Sequence, residues 1–418
     1  MSPRLLVIMG SGETAPTMVK AHRAIFERLG PDPIPAVILD TPFGFQANAD
    51  DISARAIEYF ATSIGRRVEV AELRRVEGAD PVRREEAIAK VAAADWVFAG
   101  PGSPTYALRQ WSGTDLPDLL ADKVAGGGCI VFASAAALTL GRYAVPVYEI
   151  YKVGADPAWA DGLNLLEPVL GPDVAVIPHY DNAEGGTHDT RYCYLGEARL
   201  TTLESQMREG AWVLGVDEHT GLILDMDAGT ATVMGNGSVT VRRQGASAVL
   251  GSGEAIPIHE LSGLPSGKIS SAAAAEPERQ VPAGAPRTAL HGEIRRLESQ
   301  FDKAVESGDV DSAVGCVLEL LDTLDAWAGD TTQSDAGERG QAAVRRMVVR
   351  LGSLAAVGAR DPRKVVGMFV EGLLEAREAA RAEGRYEYAD KIRQLLMSAG
   401  VEVRDSRGGS EWRLVESS

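Results

Sequence analysis

One stretch of the sequence decides the fold: Cys129-Ile130-Val131-Phe132-Ala133-Ser134-Ala135-Ala136-Ala137. Its unbroken apolar start predicts a strand that is buried on both faces, as in a parallel sheet covered by helices. Small residues on both sides of Ser134 suit a sharp strand-to-helix turn, which points the serine hydroxyl toward the carboxyl edge of the sheet. The same window also fits an ordinary serine N-cap on an alanine-rich helix, and by itself it does not separate the two interpretations.

Four other apolar segments precede this stretch, and helical patterns separate most of them. The segments are residues 4–9, 37–40, 68–71 and 96–99, and the clearest helical patterns are 51–64 and 82–93. Strands alternating with helices predict an α/β fold with a doubly wound, mostly parallel sheet, in which ligands bind at the carboxyl ends of the strands. Another strand is predicted at 174–177, and four short strands at 212–216, 221–224, 230–233 and 238–241 are predicted as an edge meander.

The second half of the chain predicts a separate all-α domain. Residues 262–287 are rich in Pro, Ala, Ser and Gly, a composition typical of a flexible linker. It divides the chain of 418 residues into a first domain (1–261) and a second domain (288–418). Apolar residues spaced by three and four predict helices at 291–306, 311–327, 337–357, 361–383 and 386–399, followed by a short extended tail.

Composition excludes several classes of protein. A net charge of −17 argues against nonspecific binding to nucleic acid or to anionic membranes. No run of about 18 apolar residues predicts a membrane span, and the N-terminus lacks the features of a signal peptide, so we expect a cytoplasmic protein. The three cysteines match neither a zinc pattern nor a disulfide framework, and the nearby residues His179, Asp181, His188 and Asp189 lack metal-ligand spacing. We therefore expect no metal and no cofactor.

Two other segments provide candidate partners for Ser134. Residues 100–104 (Gly-Pro-Gly-Ser-Pro) follow the strand at 96–99, and their backbone N–H groups could join that of Ala135 in holding an oxyanion. A turn ahead of a helix is an equally good explanation. His179 follows the strand at 174–177, where a histidine can serve as general base. Glu149 is a candidate to orient its imidazole, although spacing alone does not distinguish it from a surface glutamate.

These segments together resemble peptidase family S51, the dipeptidase E and cyanophycinase group, over roughly residues 5–241. Residues 132–137 are similar to the family's G-x-S-A-G-A elbow, with Phe132 and Ala136 at the two glycine positions. Residues 178–183 match the P-H-Y-x-N-A stretch that carries the base, and residues 215–220 are similar to a G-I-D-E-x-T strand. The resemblance implies a flavodoxin-like fold similar to that of class I glutamine amidotransferases.

The resemblance also implies roles for individual residues. Ser134 would be the nucleophile, His179 the base and Glu149 the third member, with Gly102 and Ala135 holding the oxyanion. The implied activity is hydrolysis of a small peptide or aminoacyl amide through an acyl-enzyme. The candidate substrate contacts are Ser103, Tyr180, Asn182, Arg191 and Arg199. Relatives use an arginine after the base histidine to select aspartate. Counting forward from His179 favours Arg191 for this role, but counting back from Arg199-Leu200 places Gly196 there, so aspartate specificity stays open.

A nucleotide-binding protein is a second interpretation of the first domain. Residues 10–15 fit the pattern G-x-G-x-x-A through Gly10 and Gly12, and they follow the first strand. Asp40 ends the second strand, where a ribose-binding carboxylate would lie. We rank this interpretation second because it leaves the segments around Ser134 and His179 unexplained.

The last part of the chain resembles the C-terminal helical region of bacterial cysteinyl-tRNA synthetases. The similarity covers roughly residues 361–413, including Ala389-Asp390-Lys391-Ile392-Arg393 and the final Gly409-Ser410-Glu411-Trp412. Motifs of the synthetase's catalytic half are missing, so aminoacylation is not expected. The resemblance implies contact with tRNA, whereas the acidic composition favours a reused hairpin for packing or for a homodimer. An inactive hydrolase fold whose helices bind tRNA or a protein is therefore the alternative function.

Overall fold

The structure, a computed structural model, describes residues 2–76, 78–183, 188–264, 290–328, 336–358, 362–406 and 409–415. The predicted linker at 262–287 lies outside the described residues from position 265 onward. The chain divides into two compact units, residues 1–342 and 343–418. The helices at 290–307 and 310–326 thus belong to the first unit.

Fourteen strands lie in the first unit, among the residues that the structure describes. They are β1 Arg4–Met9, β2 Ala36–Leu39, β3 Glu69–Val70, β4 Trp96–Ala99, β5 Gly128–Ala133, β6 Tyr143–Ala144, β7 Ala160–Asp161, β8 Val174–Ile177, β9 Trp212–Val216, β10 Thr220–Asp225, β11 Thr230–Gly235, β12 Ser238–Arg243, β13 Ala246–Gly251 and β14 Ala255–Pro257. Eight of them form one sheet in the order β14-β11-β10-β1-β5-β4-β2-β3. The five strands from β1 to the edge strand β3 are parallel, which confirms the α/β fold class.

A second sheet holds the remaining six strands in the order β13-β12-β9-β8-β6-β7. β8 is parallel to both β6 and β9, whereas β12 and β13 are antiparallel additions. The expected edge meander is thus divided between two mixed sheets. β9 pairs within the second sheet, and β10 pairs with β1 in the first. Only residues 217–219 connect them, and His219 turns the chain with a φ of +51°.

Helices pack against both sheets of the first unit and explain the apolar sequences of their strands. They are α1 Val19–Leu29, α2 Ala49–Tyr59, α3 Pro81–Ala93, α4 Pro104–Trp111, α5 Leu116–Gly126, α6 Ser134–Ala137, α7 Glu167–Leu170, α8 Gly196–Ser205 and α9 Ile258–Leu261. Successive residues of β1 point to opposite faces, so Leu6 and Ile8 join one buried cluster while Leu5 and Val7 join another. A strand buried on both faces needs apolar residues at every position.

The predicted C-terminal helices are confirmed within a few residues at each end. They are α10 Leu290–Ser307, α11 Val310–Ala326, α12 Ala336–Gly358, α13 Pro362–Ala382 and α14 Tyr386–Ser398, and the last is followed by β15 Val401–Ser406 and β16 Gly409–Leu414. The expected extended tail is therefore a complete hairpin. Gly400 ends α14 with a φ of +78°, a common helix termination. Among the residues described, no helix combines the length and apolarity that crossing a bilayer requires.

Candidate active site

Ser134 lies at a sharp turn between β5 and α6. Its φ is +50°, a left-handed conformation that costs a non-glycine residue on the order of 1 kcal/mol. Phe132 is fully buried, with its ring 5.9 Å from that of Trp111, and Ala136 is fully buried as well. The elbow thus forms with Phe132 and Ala136 where the similar family has glycines. The N–H of Ala136 donates to the carbonyl oxygen of Gly100 at 3.2 Å and ties the elbow to the next loop.

His179 reaches the serine from the second sheet. It follows β8 with a φ of +49°, and its Nε2 lies 2.9 Å from the Ser134 Oγ. The imidazole is 12% exposed, so it is shielded but still open to a small substrate. Its carbonyl oxygen accepts a hydrogen bond from the N–H of Cys193 at 3.1 Å. The structure therefore brings together the two residues that the sequence predicted as nucleophile and base.

Glu218, rather than Glu149, orients the imidazole. His179 Nδ1 lies 2.8 Å from Glu218 Oε1, and the Asn182 side-chain amide donates to the same oxygen at 3.1 Å. The Glu149 carboxylate instead accepts a hydrogen bond from the Thr105 hydroxyl at 3.0 Å. The sequence-based assignment of Glu149 is thereby corrected. Spacing could not reveal this, because Glu218 lies 39 residues beyond His179 on the connection between the two sheets.

The electrostatics of Glu218 suit a group that supports a charged imidazole. Burial of its carboxyl group raises the pKa, but the hydrogen bonds from His179 and Asn182 more than offset this and lower the pKa to about 2. Its own N–H donates to Asp181 Oδ1 at 2.7 Å, which fixes the backbone that carries it. The carboxylate is thus ionised at neutral pH. The only sequence signal was the similarity of residues 215–220 to a family strand, which had assigned no role to Glu218.

The predicted oxyanion residues lie in the wall of the cavity that contains Ser134 and His179. Gly102 has a φ of +135°, and a Cβ at this position would lie 2.0 Å from the carbonyl oxygen of Pro42. Only glycine fits such a close approach of two backbones. Ala135, the residue after the nucleophile, also lines this cavity.

The cavity is small and has an aromatic wall. Its volume is about 250 Å³, below the range of about 300–1,000 Å³ that is typical of drug-sized ligands. Beyond the residues already described, its wall includes Glu13, Val147, Tyr148, Tyr151, Lys152 and Tyr194. The sequence did not predict any of these six as site residues.

Three predicted substrate contacts have other partners in the structure. The Ser103 hydroxyl caps α4 by accepting from the N–H of Tyr106 at 3.2 Å. Tyr180 packs against Tyr192, with ring centroids 4.6 Å apart. Asn182 is 1% exposed and holds Glu218, so its contact is with the triad. None of these three side chains is among the residues described as lining the cavity, and their contacts support the site from the surrounding protein.

The two candidate arginines also lie apart from the described wall of the cavity. Arg191 makes two hydrogen bonds of 2.8 Å to the carboxylate of Asp189. Arg199 donates to the carbonyl oxygen of Leu195 at 3.3 Å within α8. Neither arginine is placed by this geometry to hold a substrate carboxylate beside Ser134.

The glycine loop at residues 10–15 is packed against protein. A Cβ on Gly10 would lie 2.0 Å from the carbonyl oxygen of Asp217, and one on Gly12 would lie 2.0 Å from the His219 ring. Asp40 is fully buried and accepts from the N–H of Leu73 at 2.8 Å. The glycines therefore allow residues 217–219, the connection that carries Glu218, to approach closely. Nucleotide binding would instead require these glycines to border an open space for a phosphate group.

Comparison with known proteins finds a family match in the C-terminal part of the chain. Residues 369–413 match the family model described as cysteinyl-tRNA ligase anticodon binding domain. The cysteine–tRNA ligase of Salinibacter ruber is 54% identical over 43 residues, 10% of this chain and 8% of that protein. The enzyme of Deinococcus radiodurans is 29% identical over 150 residues, 32% of this chain and 28% of that protein. The chain thus spans less than a third of the length of these relatives.

One of the solved structures that resemble the chain covers more than half of it. The crystal structure of a peptidase from an acI-B1 Actinobacterium aligns with a TM-score of 0.49 at 20% identity, over 61% of this chain and 97% of that one. The chain thus has a peptidase among its structural neighbours and a C-terminal region similar to that of cysteine–tRNA ligases.

Proposed function

We propose that the first unit is a serine-type peptidase or amidase that hydrolyses small amides through an acyl-enzyme at Ser134. The observation that carries this proposal is the continuous hydrogen-bonded chain from Ser134 through His179 to Glu218. A hydroxyl, an imidazole and a carboxylate in this order form the constellation that activates serine in unrelated hydrolases. It opens into a cavity, which gives an amide carbonyl access to Ser134.

Each residue has one task in the proposed reaction. The Ser134 oxygen attacks the carbonyl carbon while His179 Nε2 takes its proton, and the N–H groups of Gly102 and Ala135 hold the oxyanion. Glu218 stabilises the imidazolium through Nδ1. The tetrahedral intermediate then expels the amine, which takes the proton from His179. A water molecule attacks the acyl-enzyme by the same route and releases the acid and free Ser134.

The cavity sets the size of the substrate. With about 250 Å³ available, we expect dipeptides and aminoacyl amides to fit and folded proteins or long peptides to be excluded. Selectivity for aspartate is not part of the proposal, because the candidate arginines are engaged elsewhere.

A fluorophosphonate probe and a hydrolysis screen test this function directly. The probe should label the wild type and Ser112→Ala, a matched change of an exposed serine, and should fail to label Ser134→Ala. The screen should find an aspartyl or other dipeptide, or an aminoacyl amide, that only the first two proteins cleave. Absence of label from the wild type, or label that persists in Ser134→Ala, would refute the proposal.

The C-terminal unit supports a second candidate function, binding of tRNA. The match of residues 369–413 to an anticodon-binding family is the observation that favours it. At the start of α14, Tyr386 and Tyr388 are 64% and 53% exposed, and Arg385 lies over the Tyr388 ring at 5.6 Å. Exposed aromatic rings beside cations are suited to stacking on unpaired bases. A protein partner or a homodimer is the competing role for this surface.

Filter retention of a cysteine tRNA transcript tests the second function. The full chain should retain it, and the double variant Tyr386→Ala/Tyr388→Ala should retain it at least about thirtyfold less well, because the loss of two stacks at about 1–3 kcal/mol each amounts to about 2 kcal/mol or more. Ser134→Ala should behave as the wild type. Equal retention by wild type and double variant would contradict a role for this surface, and sedimentation would then report whether the chain is a homodimer.

A further inference from the structure

A second wall of the cavity is built by a short π-helical turn, residues Glu149–Val153. Turns of this kind are rare and often occur at functional sites. This one contributes Tyr151 and Lys152 to the cavity, and Tyr148 immediately precedes it. The Lys152 ammonium lies 4.8 Å from the centre of the Tyr148 ring, a contact that holds a cation at the cavity without neutralising it.

This wall is connected to the base. The Tyr151 ring packs against the Tyr194 ring at 5.0 Å, and the neighbouring Cys193 donates its N–H to the carbonyl oxygen of His179. Tyr192, Cys193 and Tyr194 all have left-handed φ angles, between +56° and +65°. Backbone strain of this kind persists only where the surrounding structure enforces it, and it clusters at ligand sites. Through the hydrogen bond of Cys193, this turn places Tyr194, with the Tyr151 ring packed on it, next to the residue that carries the imidazole.

The position beside His179 identifies which part of a substrate the wall meets. The imidazole returns its proton to the departing amine, so the leaving group must lie next to it. Lys152 is the one Lys or Arg among the described lining residues, in a chain whose net charge is −17. Among the described residues no ion pair joins Lys152 to a carboxylate. A charge-assisted hydrogen bond to an incoming anion is therefore available there.

We propose that Lys152 binds a carboxylate on the leaving amine, so that the substrates are amides whose leaving group is an α-amino acid. The aromatic rings of Tyr148, Tyr151 and Tyr194 offer apolar contact to the side chain of that amino acid. This inference rests on the proposed hydrolase function and narrows it to dipeptides with a free carboxyl terminus. Lys152 is thus a specificity-determining residue, and amides with an uncharged leaving group should be poorer substrates.

Protection of Ser134 from the fluorophosphonate probe tests this inference without requiring turnover. Leucine should protect the wild type at a concentration about tenfold lower than leucinamide, because a hydrogen bond between charged groups contributes on that order. The two compounds should protect Lys152→Met equally. Lys152→Arg should keep the preference for leucine over leucinamide. Lys303→Met, a matched change of an exposed lysine on α10, should leave this preference unaltered.

Hydrolysis of alanyl-leucine and of alanyl-leucinamide provides the second readout. The ratio of their kcat/KM values should favour the free acid about tenfold in the wild type and approach one in Lys152→Met. Equal protection by leucine and leucinamide in the wild type, or a preference that survives Lys152→Met, would overturn the inference while labelled Ser134 still supports the hydrolase. A wild type that the probe does not label would overturn the hydrolase proposal, and this inference with it.

Discussion

The candidate active site and the C-terminal unit place their candidate functional groups in opposite ways. The site gathers Ser134, His179 and Glu218 from segments that are tens of residues apart, and it holds the first two in left-handed conformations. The C-terminal unit presents neighbouring residues of one regular helix, α14, on an exposed surface. Catalysis requires fixed distances between a few atoms, whereas stacking on a flexible ligand does not. The strain is found where the geometry must be fixed.

The largest expected effect is a loss of amide hydrolysis that leaves binding by the C-terminal unit unchanged. Ser134→Ala and His179→Ala should each lower kcat for amide hydrolysis by about 10⁶, the scale found when the nucleophile or base of a serine protease is removed. Neither change should alter retention of tRNA. Steady-state kinetics and filter binding on the same preparations measure both outcomes. A loss of tRNA retention in Ser134→Ala would show that the two regions are coupled.

The next effect distinguishes the two candidate acids. Glu218→Gln should reduce kcat by about 10³–10⁴, because the amide cannot stabilise the imidazolium that forms during attack. Glu149→Gln should reduce it by less than about tenfold, since this carboxylate contacts Thr105. Rates for the two variants, normalised by active-site titration, decide the assignment. The reverse order of rates would restore Glu149 as the third member of the triad.

Gly102→Ala should displace the backbone N–H group that is proposed to hold the oxyanion. Its Cβ would meet the carbonyl oxygen of Pro42, and the φ of +135° is unfavourable to alanine. We expect kcat to fall by about 10², the scale for loss of one oxyanion donor. Gly113→Ala is the matched control, because its φ is +77° but its Cβ would meet no atom within 4 Å. An equal loss of kcat in both variants would point to strain alone.

A smaller effect belongs to the C-terminal unit alone. Arg377 is 1% exposed and makes two hydrogen bonds to Asp405, which connect α13 to the final hairpin. Arg377→Met should destabilise this unit by about 1–2 kcal/mol, because it removes the buried partner of an ion pair whose carboxylate, on Asp405, is 38% exposed. Arg381→Met, a change of a more exposed partner of Asp405, should cost less than about 1 kcal/mol. Hydrogen exchange of residues 369–413 measures both, and hydrolysis should be unchanged.

The smallest predicted effect is a dependence of stability on acid pH. The hydrogen bonds from His179 and Asn182 outweigh burial and keep the pKa of Glu218 at about 2. A carboxyl group with a lowered pKa stabilises the fold above its unfolded pKa, and this contribution is lost as pH falls from about 4.5 toward 2. Glu218→Gln should remove on the order of 1–2 kcal/mol of that pH dependence. Urea unfolding at pH 3 and pH 6 measures it. An equal change in the free energy of unfolding between the two pH values in wild type and variant would contradict the lowered pKa of Glu218.

The sequence predicted those parts of the site that adjoin regular strands. Ser134 and His179 directly follow buried strands, whose apolar runs are easy to recognise, and the structure brings their side chains together. Glu218 follows a strand as well, but its position depends on β9 and β10 pairing in different sheets. Hydrophobic patterns predict individual strands and do not predict which strands pair.

The cavity wall was missed for a related reason. Lys152 and Tyr194 reach the cavity through a π-helical turn and a left-handed turn, and tertiary packing stabilises both conformations. Arg191 was favoured by its distance along the chain, yet the sequence could not show that Asp189, two residues earlier, would engage it. Local patterns thus predicted the hydrogen-bonded pair of Ser134 and His179 better than the residues that line the cavity around it.

Because Ser134, His179 and Glu218 are divided between two sheets, the rate of the proposed hydrolysis should depend on how the two sheets are aligned. Ser134 follows the first sheet, His179 follows the second, and Glu218 lies on the three-residue bridge between them. Sliding one sheet past the other by about 1 Å would lengthen both hydrogen bonds, and a misplacement of that size can cost about a hundredfold in rate. Substitutions deep between the sheets, far from any substrate, should therefore slow hydrolysis before they unfold the protein. If the proposed hydrolysis is observed, its rate should respond to changes in core packing at a lower level of damage than the free energy of unfolding does.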